Sequence, residues 1–255
     1  MRENIMFKCT VCNEENYINT RNKKNHPEKM EVKKFCPICN KQTMHKEKKE
    51  ASQLFYNEDI KTVKVGILQT NCYILIKNGK AIIIDPGAKA ERILTALGEK
   101  TQVLAILLTH AHFDHIGAIN DLLVHFKCPI YLSEDDQPLM LDPQLNYSFP
   151  KRFIVQQPTL PYPSKLTIGE FTFEIIETPG HTDGSVCLII DNVMFTGDTL
   201  FMQSVGRTDL RTGNPTKMKQ SLRKLKALDH NYDVYPGHDD ATTLNEEKAH
   251  NIYLK

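Results

Sequence analysis

With 255 residues, a net charge of +1, and 40% hydrophobic and 25% charged side chains, the chain has an ordinary globular composition, long enough for a sizeable core or for one domain plus an appendage. No apolar run approaches a membrane span and the opening residues Arg2, Glu3, Asn4 and Lys8 are not a secretory signal, so a membrane partner is set aside and a cytoplasmic protein is expected. Seven cysteines, four of them in two C-x-x-C pairs, favour metal binding over a disulfide framework.

The near-neutral total conceals two textures. Residues 1–49 carry 12 Lys and Arg against 6 Asp and Glu, whereas residues 50–255 carry 20 against 25. Two modules with different partners are expected, at 1–49 and 58–255, with a linker at 50–57. The first module has almost no core: Ile5, Val11, Ile18, Val32 and Ile38 are nearly all its aliphatic residues, so it needs a staple. Cys9-Thr-Val-Cys12 and Cys36-Pro-Ile-Cys39, with 23 residues between them, offer four thiolates to one structural zinc ion, a closed shell with no open position for catalysis. Arg21, Lys23, Lys24, Lys33 and Lys34, mixed with Tyr17 and several amides, read as contacts to RNA phosphates and bases or as a solvated basic loop. KCTVCNEENYINTRNKKN, continuing to FCPICNKQTMHKEKK, closely resembles the bacterial large-subunit ribosomal protein thirty-three family in its zinc-binding form. The resemblance covers residues 1–49 and implies a small β zinc ribbon, held by Cys9, Cys12, Cys36 and Cys39, that binds ribosomal RNA in the large subunit.

In the second module TVKVG, NCYILIK and KAIIID are predicted strands, the last two joined through an Asn78-Gly79 hairpin turn. ERILTALGEK predicts a short helix ending near Gly98, VLAILL a buried strand ending at Thr109, and IGAINDLLVHF an apolar-faced helix. Strands are expected at 171–177, 185–190 and 193–196. Asn214-Pro215 opens a helix with Met218, Leu222, Leu225 and Leu228 as its core stripe, and TLNEEKAHNIYLK has room for one more.

The stretch LLTHAHFDHIGAI places His110, His112, Asp114 and His115 straight after the buried strand, a donor set suited to Zn²⁺, Fe²⁺ or Mn²⁺. Further donors follow other apolar runs: His181 in TPGHTDGS, Asp198 in MFTGDTLF and His238 in VYPGHDD. Asp85, at the end of KAIIID, is a carboxylate suited to fixing a histidine ring through its other N–H. These five sites, in order, resemble the motifs of the metallo-β-lactamase superfamily over roughly residues 58–255.

That resemblance implies an α+β chain in which the ribbon precedes a four-layer αββα sandwich with metals at one edge of its sheets. It assigns His110, His112 and His181 to one ion, Asp114, His115 and His238 to a second, and Asp198 to both. Two divalent ions, zinc first, would activate a shared water to hydroxide, with Asp114 and Asp198 as the catalytic carboxylates. Asp198 and His115 differ from the best-known resistance lactamases, and the 39 residues between Asp198 and His238 leave no room for a nuclease insert. TNCYIL, GHTDGS, GDTLF and SVGRTDL resemble glyoxalase II-like hydrolases of 2-hydroxyacyl thioesters, with Arg207 positioning substrate or bracing the site. Only 17 residues follow His238, so the resemblance is to the shorter bacterial branch, without the helical domain that contacts glutathione. The expectation is a thioester hydrolase fused to a ribosomal RNA-binding module; the alternatives are a ribosomal constituent with an incidental hydrolase domain, or a lactonase.

Overall fold

The computed structural model describes residues 3–12, 15–21, 30–47 and 60–255. The chain forms two compact units, Met1–Leu54 and Phe55–Lys255. The linker expected at 50–57 lies outside the described residues, as do Lys23, Lys24 and the side chain of Arg21.

The first unit is an antiparallel sheet of β1 (Glu3–Cys9), β2 (Glu15–Arg21), β3 (Glu31–Cys36) and β4 (Lys41–Glu47), in the order β2-β1-β4-β3. Its buried side chains, among those described, are Phe7, Cys9, Cys36, Thr43 and His45. Val11 and Ile38, two of its few aliphatic residues, are exposed at the tips of the cysteine knuckles and contribute nothing to a core. Lys33 is exposed, while the ammonium of Lys34 lies 4.5 Å from the centre of the Tyr17 ring, a cation–π contact.

The second unit opens with β5 (Ile60–Val65), β6 (Thr70–Lys77) and β7 (Lys80–Ile84) as an antiparallel meander. Asn78 and Gly79 both have positive φ, the geometry that a two-residue hairpin turn demands. After α1 (Ala90–Leu97), β8 (Gln102–Leu107) joins β7 in parallel; β9 (Ile130–Tyr131) and β10 (Thr159–Leu160) complete a six-stranded sheet in the order β10-β9-β8-β7-β6-β5. The second sheet takes the order β11-β12-β13-β14-β17-β18, from β11 (Lys165–Ile168), β12 (Phe171–Glu177), β13 (Val186–Ile190), β14 (Val193–Gly197), β17 (Asp233–Pro236) and β18 (Thr242–Thr243). β15 (Leu200–Phe201) and β16 (Ser204–Val205) pair separately.

Side-chain alternation with period two sorts the apolar residues into three layers of core. Tyr73, Leu75, Ile82, Ile84, Ala105 and Leu107 of the first sheet pack against Phe171, Phe173, Leu188, Ile190 and Phe195 of the second. The intervening residues Cys72, Ile74, Ile83 and Ile106 face outward onto Ile93 and Leu97 of α1 and onto Ile116, Ile119 and Leu122. On the far side Cys187, Ile189, Met194 and Val234 meet Met218, Leu222 and Leu225 of α5 (Pro215–Lys226) and Leu244 of α6 (Leu244–His250). The result is the expected αββα sandwich. Asn214 caps α5 as its sequence predicts, accepting from the amides of Thr216 and Lys217 at 3.0 Å each.

The helix expected over IGAINDLLVHF is instead broken near its start. Two single turns, α2 (Phe113–Ile116) and α3 (Ile119–Leu122), flank Gly117 and Ala118, and α4 (Gln137–Leu141) follows. A Cβ at Gly117 would lie 2.3 Å from the carbonyl oxygen of Gly87, and the Ala118 amide donates to Pro86 at 2.9 Å. The loop after β7 therefore occupies the space a regular helix would need, and it uses the freed amide. Cys72 and Cys187 lie in the core, whereas Cys128 is only partly buried.

Candidate metal centre

The ends of β7, β8, β14 and β17, with the loop from β12 to β13, converge at one edge of the sandwich and deliver every donor singled out above. Three sets of donor atoms lie within 4.8 Å of one another: His110, His112 and His181; His110, His115 and Asp198; and Asp114, His115 and His238. Asp198 stands between the outer sets, with Oδ2 3.3 Å from His181 Nε2 and 3.5 Å from His238 Nε2, and Oδ1 3.4 Å from His115 Nε2. Asp114 Oδ2 lies 3.5 Å from His115 Nε2 and 3.3 Å from His238 Nε2. The approach depends on Gly237, where a Cβ would sit 2.3 Å from Asp198 Oδ1 and 2.8 Å from His115 Cε1.

Hydrogen bonding fixes which ring nitrogen faces the centre. His181 Nδ1 lies 2.8 Å from the Arg207 carbonyl and His238 Nδ1 3.1 Å from the Leu68 carbonyl. His115 Nδ1 lies 2.9 Å from Asp85 Oδ2. Carbonyls and carboxylates only accept, so Nδ1 carries the hydrogen and the neutral ring turns the Nε2 lone pair inward. His110 follows by relay: Thr109 Oγ1 donates to Asp85 Oδ2 at 2.6 Å and accepts from His110 Nδ1 at 3.1 Å. His112 Nδ1 then meets His181 Nε2 at 2.8 Å.

Nε2 of His115 and His238 faces carboxylate oxygens, and His181 Nε2 faces His112 Nδ1, so lone pairs there repel unless a proton or a metal ion stands between them. Among the described residues, buried Nε2 of His110, His112 and His115 and Oδ1 of Asp198 have no hydrogen-bond partner. The donors therefore fit divalent ions. The ribbon passes its own test. Cys9 and Cys39 sulfurs are 3.9 Å apart and Cys12 and Cys36 sulfurs 3.5 Å, against about 3.8 Å for a tetrahedral site with Zn–S near 2.3 Å. The amides of Val11 and Cys39 donate to Cys9 and Cys36 sulfurs at 3.4 Å each. Burial raises the Cys9 thiol, but hydrogen bonds led by that from Thr43 outweigh it and bring it down to about 5, favouring the thiolate.

Residues 65–238 match the family model of the metallo-beta-lactamase superfamily. The chain belongs to that superfamily. Residues 3–49 match the model of ribosomal protein L33, so the superfamily domain follows a ribosomal-type segment in one chain. Over 212 residues the chain is 33% identical to hydroxyacylglutathione hydrolase GloC of Haemophilus influenzae, covering 77% of this chain and 98% of that protein. Among solved structures, that of BLEG-1 B3 metallo-beta-lactamase is similar with a TM-score of 0.73 and 41% identity, over 76% of this chain and 99% of that one. TTHA1623, in a di-iron-bound form, matches with a TM-score of 0.68 and 35% identity, over 76% of this chain and all of that one (100%).

In this member of the metallo-beta-lactamase superfamily the two outer donor sets differ in their hold on protons. Burial, with His115 close by, keeps His110 well below the ordinary imidazole range; burial and His181 take His112 down to about 3. Burial alone would lower His115 and His238 too, but carboxylates overrule it. Asp114, Asp198 and Asp85 raise His115, and Asp114 and Asp198 bring His238 up to about 10. At neutral pH the metal-free centre thus holds protons on His115 and His238, and metal must displace them. Metal binding is expected to release protons, and affinity to fall as pH falls, with the His115–His238 set emptying before the His110–His112 set. Calorimetry in buffers of different ionisation enthalpy, with metal content measured against pH, checks both; proton uptake on binding would contradict the assignment.

Arg207 contacts the centre through its backbone carbonyl. Its guanidinium is exposed and held by Asp209, with Nε–Oδ1 2.7 Å and Nη2–Oδ2 2.8 Å. Sequence reasoning missed Thr70, whose hydroxyl donates to Asp114 Oδ2 at 2.7 Å, and Tyr147, whose ring centre lies 5.4 Å from that of His112. It also missed Asp136, which is completely buried. Asp136 ends the run Glu134-Asp135-Asp136, whose first two members are exposed; three adjacent acids read as a solvated turn, and only the fold separates the third.

Proposed function

We propose that residues 58–255 are a metal-dependent hydrolase of 2-hydroxyacyl thioesters, and that residues 1–49 are a zinc ribbon that binds ribosomal RNA in the large subunit. The observation that carries the first part is the pair of donor sets meeting at Asp198: His110, His112 and His181 on one side, Asp114, His115 and His238 on the other. Divalent ions held there supply Lewis acidity and make hydroxide available from water near neutral pH. The chain's own residues do the rest. Asp85 holds His115, and through Thr109 also His110, in the tautomer that presents Nε2. The Leu68 and Arg207 carbonyls do the same for His238 and His181. Asp114, steadied by Thr70, and Asp198 orient the attacking water and keep negative charge beside the cations. No serine or cysteine nucleophile is required, and burial raises the Cys72 thiol well above its ordinary range and Cys187 to about 12, keeping both inert.

The thioester reading is supported by the similarity to hydroxyacylglutathione hydrolase GloC along 98% of that protein's length. Zinc is the ion we assign to both sites; the di-iron form of TTHA1623 makes iron the first alternative for the hydrolase. A lactamase reading has one observation in its favour, the similarity to BLEG-1. The metal-loaded chain is therefore expected to hydrolyse lactoyl thioesters of glutathione and other thiols in preference to lactones and β-lactams. Turnover of the lactones or β-lactams with the thioesters left intact would replace the substrate while leaving the metal centre in place.

A further inference from the structure

We infer that Asp136 is a positioning residue for the ion held by His110, His112 and His181, strapping together the two loops that carry these ligands; the inference rests on that set being a metal site. Asp136 is 0% exposed. Its Oδ2 accepts from the Ala111 amide at 3.0 Å and from the Thr182 hydroxyl at 2.9 Å, and its Oδ1 accepts from the Gly184 amide at 2.8 Å. Ala111 separates His110 from His112, and Thr182 follows His181. One carboxylate thus grips the chain beside all three ligands, on loops that leave different sheets: one follows β8, the other joins β12 to β13.

Three features argue for more than loop folding. First, the contacts are one-sided. Asp114, His115 and His238 are held by Thr70, Asp85 and the Leu68 carbonyl, none of which touches Asp136. Second, Asp136 has no ion pair among the described residues, so no Lys or Arg neutralises a buried charge that lies just behind a cation's ligands. Third, the fit is tight: a Cβ at Gly184 would come within 2.7 Å of both Asp136 N and Oδ1, leaving no space for another arrangement. The three donors match an ionised carboxylate. An amide of the same shape turns an NH₂ toward at least one of them, so Asp136→Asn loosens the strap with little change in volume.

Metal affinity in backgrounds that isolate one ion tests this. Metal-free protein is titrated with Co²⁺, followed by its visible absorption, in the His238→Ala background, where the His110–His112–His181 set remains, and in the His112→Ala background, where the other set remains. Adding Asp136→Asn is expected to weaken Co²⁺ about ten- to a hundredfold in the first background, the usual cost of removing a hydrogen bond behind metal ligands, and to leave it unchanged in the second. Equal weakening in both, or in neither, overturns the proposal. Should the Asp136→Asn proteins fail to fold, Thr182→Val, which removes one donor and leaves both amides, decides by the same criterion. Wild-type protein that binds no Co²⁺ beyond the ribbon's four-thiolate site would refute the metal centre itself, an outcome distinct from one in which the wild-type centre binds two ions and Asp136→Asn changes neither.

Discussion

His112→Ala is expected to lower kcat/KM for any substrate of the centre by at least roughly a thousandfold, the several kcal/mol that a Lewis-acidic ion contributes to a transition state. The imidazole is nearly completely buried and its Nδ1 stands 2.8 Å from His181 Nε2, where both rings converge on a single point. Removing it leaves the first ion only His110, His181 and an Asp198 shared with the second set, a much weaker hold in competition with water. The loss is specific to the centre, because His112 belongs to none of the three hydrophobic layers that hold the sandwich together. Circular dichroism should therefore be retained, metal content should fall by about one ion per chain, and the ribbon's metal should stay. A variant keeping a tenth of wild-type kcat/KM would show that hydrolysis proceeds away from the proposed ligands.

What the sequence disclosed and what it withheld divide along a physical line. The proposed metal ligands were legible because their chemistry restricts residue type: His and Asp directly after apolar runs, with Gly immediately before His181, Asp198 and His238, have few other uses. Asp85 was legible for the same reason, ending a buried strand where a carboxylate must have partners; the structure gives it Thr109 and His115. The sheets were legible through long apolar runs such as ILLT and AIIID. The break at Gly117 was not, because it arises from the distant loop at Pro86 and Gly87. Nor were Thr70, Asp136 or the Leu68 and Arg207 carbonyls. A backbone carbonyl has no sequence signature, and a threonine or an acid in a turn is ordinary until the fold shows what it touches. Arg207 illustrates the converse: a conspicuous side chain drew the eye, while the working atom is its carbonyl oxygen.

Cys36→Ser is expected to unfold the ribbon and leave the hydrolase unit intact. Four sulfurs fit one zinc ion, and the described part of this unit buries a single large apolar side chain, Phe7, besides two of the cysteines themselves. Full burial of such a side chain contributes about 1.5–3 kcal/mol, whereas a structural zinc in a small domain contributes about 10–16 kcal/mol at neutral pH. Ordering some forty residues costs far more than Phe7 can offset, so the fold of this unit depends on the metal. Serine retains the shape of the side chain but is a poor zinc ligand, so the four-thiolate shell is broken. Limited proteolysis should then cut within residues 1–49 of the variant while the wild type resists, and co-sedimentation with large ribosomal subunits should be lost. The proposed thioester hydrolysis should continue at the wild-type rate, because the second unit has three cores of its own and no ligand among these cysteines. A ribbon that stays protease-resistant after the substitution would mean that side-chain packing rather than zinc holds it, and the structural role of the four cysteines would have to be abandoned.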